Sequence, residues 1–184
     1  MRALIAPLAR ALESRTHILI YGPAATGKTH LAHAFFMHAE EAGLRPIIVA
    51  TEPGTITYVE HVGSLDHVTA RTLDEMAKIV AEESLRGRLP IIDSINWHYR
   101  ESPGLGSARS LAFTASLLYS HGGVSTAQVA GEGRLPSGAP FILPYAGLLA
   151  ETRRREGRFE LIIIRPVRRT AVFQPDPKVG VIWK

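Results

Sequence analysis

Residues 22–29 have the types and the spacing needed to bind a polyphosphate. They read Gly-Pro-Ala-Ala-Thr-Gly-Lys-Thr, which satisfies the pattern G-x-x-x-x-G-K-[ST]. The two glycines permit a tight turn and a close approach of backbone N–H groups to phosphate oxygens. We expect Lys28 to reach the β- and γ-phosphates and the Thr29 hydroxyl to join the coordination shell of Mg²⁺. The phosphate-binding residues that this pattern predicts are Gly22, Pro23, Ala24, Ala25, Thr26, Gly27, Lys28 and Thr29.

Asp93 is the candidate for a second magnesium ligand. It closes the apolar run 89–93 and is followed by Ser94, which is the form of a Walker B acid. Such an acid holds Mg²⁺, directly or through water, opposite the loop hydroxyl. A helix cap or a turn is the ordinary role of a lone aspartate, but the phosphate loop upstream favours the metal role here.

Glu52 and Gln128 are candidates for handling the terminal phosphate. Glu52 follows the apolar run 46–50, where a carboxylate could orient and deprotonate an attacking water; a solvated turn residue is the alternative. Gln128 lies inside the apolar run 124–130. Its amide could sense the terminal phosphate, or it could be a hydrogen-bonded amide of the core.

The segments around these residues predict an α/β fold. An apolar strand at 16–21 leads into the phosphate loop, and a helix at 28–42 leads out and offers free N–H groups to an anion. Strand-like and helix-like segments then alternate, which is typical of a parallel sheet covered on both faces. Further strands are expected at 46–50, 67–70, 89–93 and 124–129, helices at 55–60, 72–85 and 107–120, and loops at 101–106 and 131–140.

The helix at 72–85 and the tail complete this prediction. Thr72 and Glu75 form a capping box, and the apolar face of the helix is expected to contain Leu73, Met76, Ala77, Val80 and Leu85. Three closely spaced strand candidates, at 159–165, 169–174 and 179–183, favour antiparallel hairpins. The sequence predicts one domain over residues 1–184, with a mostly parallel central sheet flanked by helices and C-terminal antiparallel β-hairpins.

Composition limits the function classes. The chain has 184 residues, 46% of them hydrophobic, and no apolar stretch approaches the roughly 18 residues that cross a bilayer. There is no cysteine, which excludes disulfides and thiol catalysis. The first ten residues do not resemble a secretory signal, so we expect a cytoplasmic protein that does not associate with membranes. The net charge of +4 is compatible with a nucleic-acid partner without establishing one. The few amides favour a thermophile, although a GC-rich genome would also explain the excess of arginine.

The segments that contain the phosphate loop, Glu52, Asp93 and Gln128 resemble, in this order, the ATPase core of the RecA/RadA recombinase family, particularly its short archaeal paralogues such as RadB. That family places a phosphate loop, a Thr-Glu-Gly-like strand end, an Asp-Ser strand end and an Asn-Gln-Val-like sensor in this order. Here they are residues 22–29, Thr51-Glu52-Pro53-Gly54, Ile91-Ile92-Asp93-Ser94-Ile95 and Thr126-Ala127-Gln128-Val129. The resemblance implies ATP and Mg²⁺ as ligands, Glu52 and Lys28 as catalytic residues, and Gln128 as the γ-phosphate sensor.

Departures from the family pattern imply an accessory role. The family's N-terminal DNA-binding domain is not expected, and Ala127 replaces the sensor asparagine. The first DNA loop of the family corresponds to residues 100–107, which form a short segment. The second corresponds to residues 131–140, where Arg134 is the one basic residue. The resemblance then implies a weak, DNA-dependent ATPase that assists homologous recombination and DNA repair. Its expected partners are single-stranded DNA, a full-length RadA-type recombinase, or both, and it could form a homo-oligomer.

Two other functions remain open. One is a P-loop kinase of a small metabolite, with residues 153–158 as a lid over the phosphates. The other is a regulatory subunit related to the circadian-clock ATPases, which binds nucleotide and hardly hydrolyses it.

Several basic residues also allow two interpretations. Arg165, Arg168 and Arg169 could reach a neighbouring subunit's phosphates or could form a solvated turn. Residues 153–155 and Arg158 could contact a phosphate backbone or could end a helix. His30 and His33 are expected to be packing or surface residues rather than metal ligands.

Overall fold

The computed structural model describes residues 4–129 and 134–184. In these ranges, nine strands form one sheet in the spatial order β3-β2-β4-β5-β1-β6-β7-β8-β9. The strands are β1 (His17–Gly22), β2 (Arg45–Ala50), β3 (His67–Thr69), β4 (Arg88–Asp93), β5 (Gly123–Gln128), β6 (Leu148–Arg155), β7 (Arg158–Arg165), β8 (Arg169–Asp176) and β9 (Gly180–Trp183). The helices are α1 (Ala6–Glu13), α2 (Lys28–Glu41), α3 (Pro53–Val62), α4 (Leu73–Leu85), α5 (Trp97–Glu101), α6 (Leu105–His121) and α7 (Ala139–Ile142), followed by a 3₁₀ turn at Leu143–Tyr145.

The first six strands run parallel, so their carboxyl ends lie along one edge of the sheet. Strand β1 pairs with β5 and β6, and β4 pairs with β2 and β5. Ala50 lies opposite Asp93 and Gly22 lies opposite Gln128. We call this side of the sheet the carboxyl edge. It gathers the ends of the strands that carry the predicted site residues.

The last four strands form antiparallel hairpins, as the tail pattern predicts. The mostly parallel sheet with flanking helices and C-terminal hairpins is therefore confirmed. Strand β6 has no counterpart among the elements predicted from the sequence, and the alternative of a helix end at residues 153–155 is wrong. Leu148 and Ala150 extend this strand beside β1, where parallel pairing satisfies its backbone and both side chains are buried.

Two apolar clusters cover the two faces of the parallel sheet. One packs α1 and α2 against side chains such as Ile18, Ile20 and Ile48, and the other packs α4 and α6 against Leu19 and Ile92. In the described part of the chain, no helix is long and apolar enough to cross a membrane.

Helix α4 departs from its predicted pattern at both ends. Leu85 was expected on the apolar face but is 81% exposed. It lies five residues after Val80, about 140° around the helix from it, and therefore points to solvent. The Thr72 hydroxyl accepts a hydrogen bond from the Glu75 N–H at 3.1 Å as predicted, but the Glu75 carboxylate accepts from the Arg71 N–H at 2.7 Å rather than from Thr72.

Candidate functional site

The phosphate loop has the backbone that its two glycines predict. Gly27 caps the start of α2 with a left-handed φ of 85°, and a Cβ there would lie 2.8 Å from the Phe173 ring. A Cβ at Gly22 would lie 2.4 Å from the Thr152 carbonyl oxygen. Neither position has room for a side chain. The Thr26 and Thr152 hydroxyl oxygens are 2.7 Å apart, so β6 fixes the loop from the side.

Lys28 lies inside this loop. Its ammonium donates to the carbonyl oxygens of Gly22 at 3.1 Å and Pro23 at 2.6 Å, and the residue is only 8% exposed. Burial lowers the pKa of Lys28, and the nearby carboxylates of Asp93 and Glu52 oppose that shift. The cation is therefore already removed from water, at the point where a phosphate would enter the loop.

The Asp93 carboxylate is the acceptor for three threonine hydroxyls. Thr29 and Thr55 both donate to its Oδ2 atom at 2.7 Å, and Thr126 donates to its Oδ1 atom. Asp93 itself is only 2% exposed. The sequence motifs indicate the pair of Thr29 and Asp93 but give no sign of Thr55 or Thr126. Hydroxyls at these positions have no distinctive spacing, because the threonines come from α3 and β5.

Thr29 and Asp93 have the chemistry of a Mg²⁺ site. Hydroxyl and carboxylate oxygens are hard ligands, and protein-bound Mg²⁺ commonly has one or two such ligands plus phosphate oxygens and water. Within residues 4–129 and 134–184, no group of three His, Asp or Glu side chains is arranged to hold a metal ion by itself. A magnesium bound here would depend on phosphate oxygens and water for the rest of its ligands.

Glu52 lies at the end of the neighbouring strand β2 and is not a freely solvated turn residue. Its carboxylate accepts a hydrogen bond from the Ser94 hydroxyl, and the residue is half-buried. Burial raises the pKa of Glu52; the Ser94 hydrogen bond, Lys28 and Arg100 oppose this shift, and Asp93 adds to it. A carboxylate with a raised pKa is better suited to accept a proton near neutral pH than a fully solvated one.

Gln128 is tied to the segment that follows β4. Its side-chain oxygen accepts from Arg100 Nη1 at 2.8 Å, and its backbone N–H donates to Asn96 Oδ1 at 2.9 Å. The Asn96 amide returns a bond to the Gln128 carbonyl at 2.9 Å, and the Arg100 guanidinium lies 5.7 Å from the centre of the Trp97 ring. Gln128 is therefore not an amide of the apolar core. No sequence motif assigns Arg100 to the site, although the charge of Arg100 lowers the pKa values of both Glu52 and Lys28.

Other candidate residues lie elsewhere. Arg165 pairs with Leu149 near the edge opposite the loop and donates to the Leu143 carbonyl, and Arg168 and Arg169 are exposed beyond it. They do not contact the phosphate loop of their own chain, and a role at a neighbouring subunit stays a prediction.

The structure describes all of the predicted lid, residues 153–158, but only part of the predicted DNA loop, residues 131–140. Residues 153–158 are the end of the β6–β7 hairpin, where the Arg154 guanidinium lies 5.1 Å from the centre of the Phe159 ring. Of the predicted loop 131–140, residues 131–133 lie outside the described residues, and 139–140 begin α7.

The two histidines of α2 pack against α3. The His33 ring nitrogen Nδ1 lies 2.9 Å from the Tyr58 hydroxyl, and the His30 ring contacts the Tyr58 ring edge-on at 5.1 Å. Burial lowers the pKa of both histidines. The expectation that they are packing residues is confirmed.

No protein-family model matches this sequence, and a comparison with the curated proteins finds no match.

Proposed function

We propose that this chain is a RecA/RadA-like, RadB-like ATP-binding protein that hydrolyses ATP slowly and assists homologous recombination and DNA repair. The observation that carries the ATPase part is the direct contact between Thr29 and Asp93, at 2.7 Å, beside the buried Lys28 ammonium. Lys28 and Thr29 begin α2 and Asp93 ends β4, and the fold brings them to one point of the carboxyl edge. The recombination part rests on the order of the four sequence segments.

The residues of the site divide the work of hydrolysis. The N-terminus of α2, where Gly27 offers no side chain to cap the N–H groups, and the Lys28 ammonium would receive the phosphates. Mg²⁺, held by Thr29 and Asp93, would neutralise charge on the phosphate oxygens.

Glu52 would accept a proton from the water that attacks the terminal phosphorus. The Ser94 hydroxyl fixes the orientation of its carboxylate. The new bond joins the water oxygen to phosphorus, the bond from phosphorus to the bridging oxygen breaks, and ADP and phosphate leave.

Gln128 and Arg100 would stabilise the negative charge that develops at the terminal phosphate in the transition state. The Arg100 guanidinium holds the Gln128 side chain at 2.8 Å and places a second positive charge near Lys28. A cation supplied within the chain would support slow hydrolysis in the absence of a neighbouring subunit.

The variant Glu52→Gln tests this proposal, and Glu60→Gln, an exposed site on α3, is the matched control. Nucleotide affinity is measured with a fluorescent ATP analogue, and turnover by phosphate release. Glu52→Gln should bind ATP and release phosphate far more slowly, whereas the control should behave like the wild type. Unchanged turnover in Glu52→Gln would remove Glu52 from the mechanism.

The other functions have separate readouts. Failure of the wild type to bind ATP would overturn the proposal as a whole. Tight ATP binding without turnover would favour the regulatory subunit, and phosphate transfer to a metabolite that outruns hydrolysis would favour the kinase. The repair role is contradicted if, with ATP and Mg²⁺ present, the protein binds neither single-stranded DNA nor a recombinase.

A further inference from the structure

The positive charge of the chain is concentrated in its C-terminal hairpins. Residues 148–184 contain nine basic and four acidic side chains, whereas residues 1–147 contain 12 basic and 13 acidic ones. The excess charge of the protein therefore belongs to β6–β9. Such an uneven distribution favours contact with a polyanion at this end of the sheet.

At the end of the β6–β7 hairpin, Arg155 and Arg158 differ from the neighbouring arginines Arg153 and Arg154, which have partners within the hairpin. Arg153 is bound to Glu151 through two hydrogen bonds of 2.7 and 2.9 Å, and Arg154 lies over Phe159. Arg155 and Arg158 are exposed, and neither forms an ion pair in the described part of the chain.

These two arginines also repel each other. Arg155 lies directly opposite Arg158 in the β6–β7 register, and like charges in that position destabilise a hairpin. An anion between the two guanidinium groups would convert this repulsion into attraction. Guanidinium groups suit phosphate oxygens, because two parallel N–H donors match two oxygens.

The surface around this pair extends across four strands. Arg158, Gln174 and Lys184 line a surface cavity of about 550 Å³ beside the hairpin. With strands about 4.8 Å apart, the row from β6 to β9 is about 15 Å wide, which is more than one phosphate needs. We define the basic face as Arg155, Arg158, Gln174 and Lys184.

The hairpins that carry the basic face also contact the phosphate loop, but through the opposite face of the sheet, because Arg158 and Gln174 alternate with Phe159 and Phe173 along their strands. Thr152 contacts Thr26, and Phe173 lies against Gly27, so the hairpin and the loop are packed together. The loops that the family resemblance assigns to DNA provide less positive charge for DNA in this chain, because Arg100 is already bound to Gln128.

We propose that the basic face binds the phosphate backbone of single-stranded nucleic acid. The choice of this polyanion rests on the proposed function. Binding there would place the strand on the C-terminal hairpins, outside the two loops that the resemblance suggests.

The test compares two double variants with the same change in charge. Arg155→Glu with Arg158→Glu removes the pair, and Arg71→Glu with Arg109→Glu changes two exposed arginines that line a cavity beside α5. Affinity for a labelled 20-nucleotide single strand is measured by fluorescence anisotropy at several salt concentrations with Mg²⁺ and ATP. A fluorescent ATP analogue reports nucleotide binding in parallel.

We expect the hairpin variant to lose about tenfold or more in affinity and the control less than about threefold. The slope of log K against log salt should fall by about 1.4 in the hairpin variant, since each lost phosphate contact is worth about 0.7 for a single strand. Equal losses in both variants, or an unchanged slope, would overturn the inference.

A milder variant guards against misfolding. Arg155→Gln with Arg158→Gln removes the repulsion, so it should melt no earlier than the wild type while still binding DNA less tightly. If this variant binds DNA as tightly as the wild type does, the basic face is not the DNA site, and the proposed function is unaffected. A wild type that binds ATP but no DNA would contradict both this inference and the repair role.

Discussion

Replacing Lys28 by alanine is expected to remove most of the stabilisation that ATP gives to the protein. In the structure the ammonium is buried and donates to two backbone carbonyls, at 3.1 and 2.6 Å. Since the cation is already dehydrated, nucleotide binding exchanges neutral carbonyl partners for anionic phosphate oxygens. Alanine cannot make that exchange.

The size of the effect follows from this exchange. A hydrogen bond to a charged partner is worth about 1.5–3 kcal/mol, and about 2.7 kcal/mol corresponds to roughly 100-fold in affinity. At an ATP concentration of about 100 times the wild-type Kd, the wild type gains about 2.7 kcal/mol of stability, and the variant about 0.4 kcal/mol. For a chain of this size these values correspond to increases in Tm of about 5–11 °C and about 1–2 °C.

The assay is a thermal melt with and without ATP and Mg²⁺. The difference between the two melts cancels any effect of the substitution on the nucleotide-free protein. Lys78→Ala is the matched control, because Lys78 is exposed and makes only a 3.9 Å ion pair with Glu82. An ATP-induced shift in Lys28→Ala as large as in the control would refute the assignment of the phosphate site to this loop.

Two further predictions test other parts of the structure. Arg100→Ala should lower ATP turnover about tenfold or more with little change in ATP affinity, because it releases the Gln128 side chain. Steady-state kinetics would measure this effect, with Arg109→Ala as the control variant. A loss of ATP affinity that parallels the loss of turnover would contradict the prediction. Burial lowers the pKa of His17 from 6.5 to about 4, while its Nε2 atom lies 2.8 Å from the Ser125 hydroxyl. Between those pH values the unfolded chain takes up a proton that the folded chain does not, so stability falls as pH decreases, by about 2 kcal/mol from pH 8 to pH 5. Urea unfolding of the wild type and His17→Gln should show a smaller pH dependence in the variant, and equal dependence would argue against a neutral buried His17.

Much of the fold could be predicted from local patterns. The apolar runs that form β1, β2 and β4 are continuous, because parallel strands are buried on both faces. Strand β6 was missed because three successive arginines, residues 153–155, hide its alternation. Its assignment depends on pairing with β1, which no local pattern reveals.

Some residues of the candidate site could likewise be selected from the sequence, and others only from the fold. Residues 22–29 are contiguous, and two glycines, a lysine and a threonine at that spacing have few other uses, so the sequence alone predicts a phosphate-binding role for them. Thr55 and Thr126 contact Asp93 from 38 and 33 residues away in sequence. Hydroxyls of this kind are too common to be selected without the fold.

The sequence by itself predicted a phosphate-binding loop at residues 22–29 and determined the parallel, helix-covered character of the sheet. The tertiary structure decided which side chains join that loop. By placing β5 between β1 and β4, the fold brings Thr126 onto Asp93 and Gln128 beside the loop. The strand order also directs Arg100 to Gln128, a contact that crosses 28 residues of sequence. Periodicity reports only how each segment is buried, whereas the order of strands depends on how all the segments pack together.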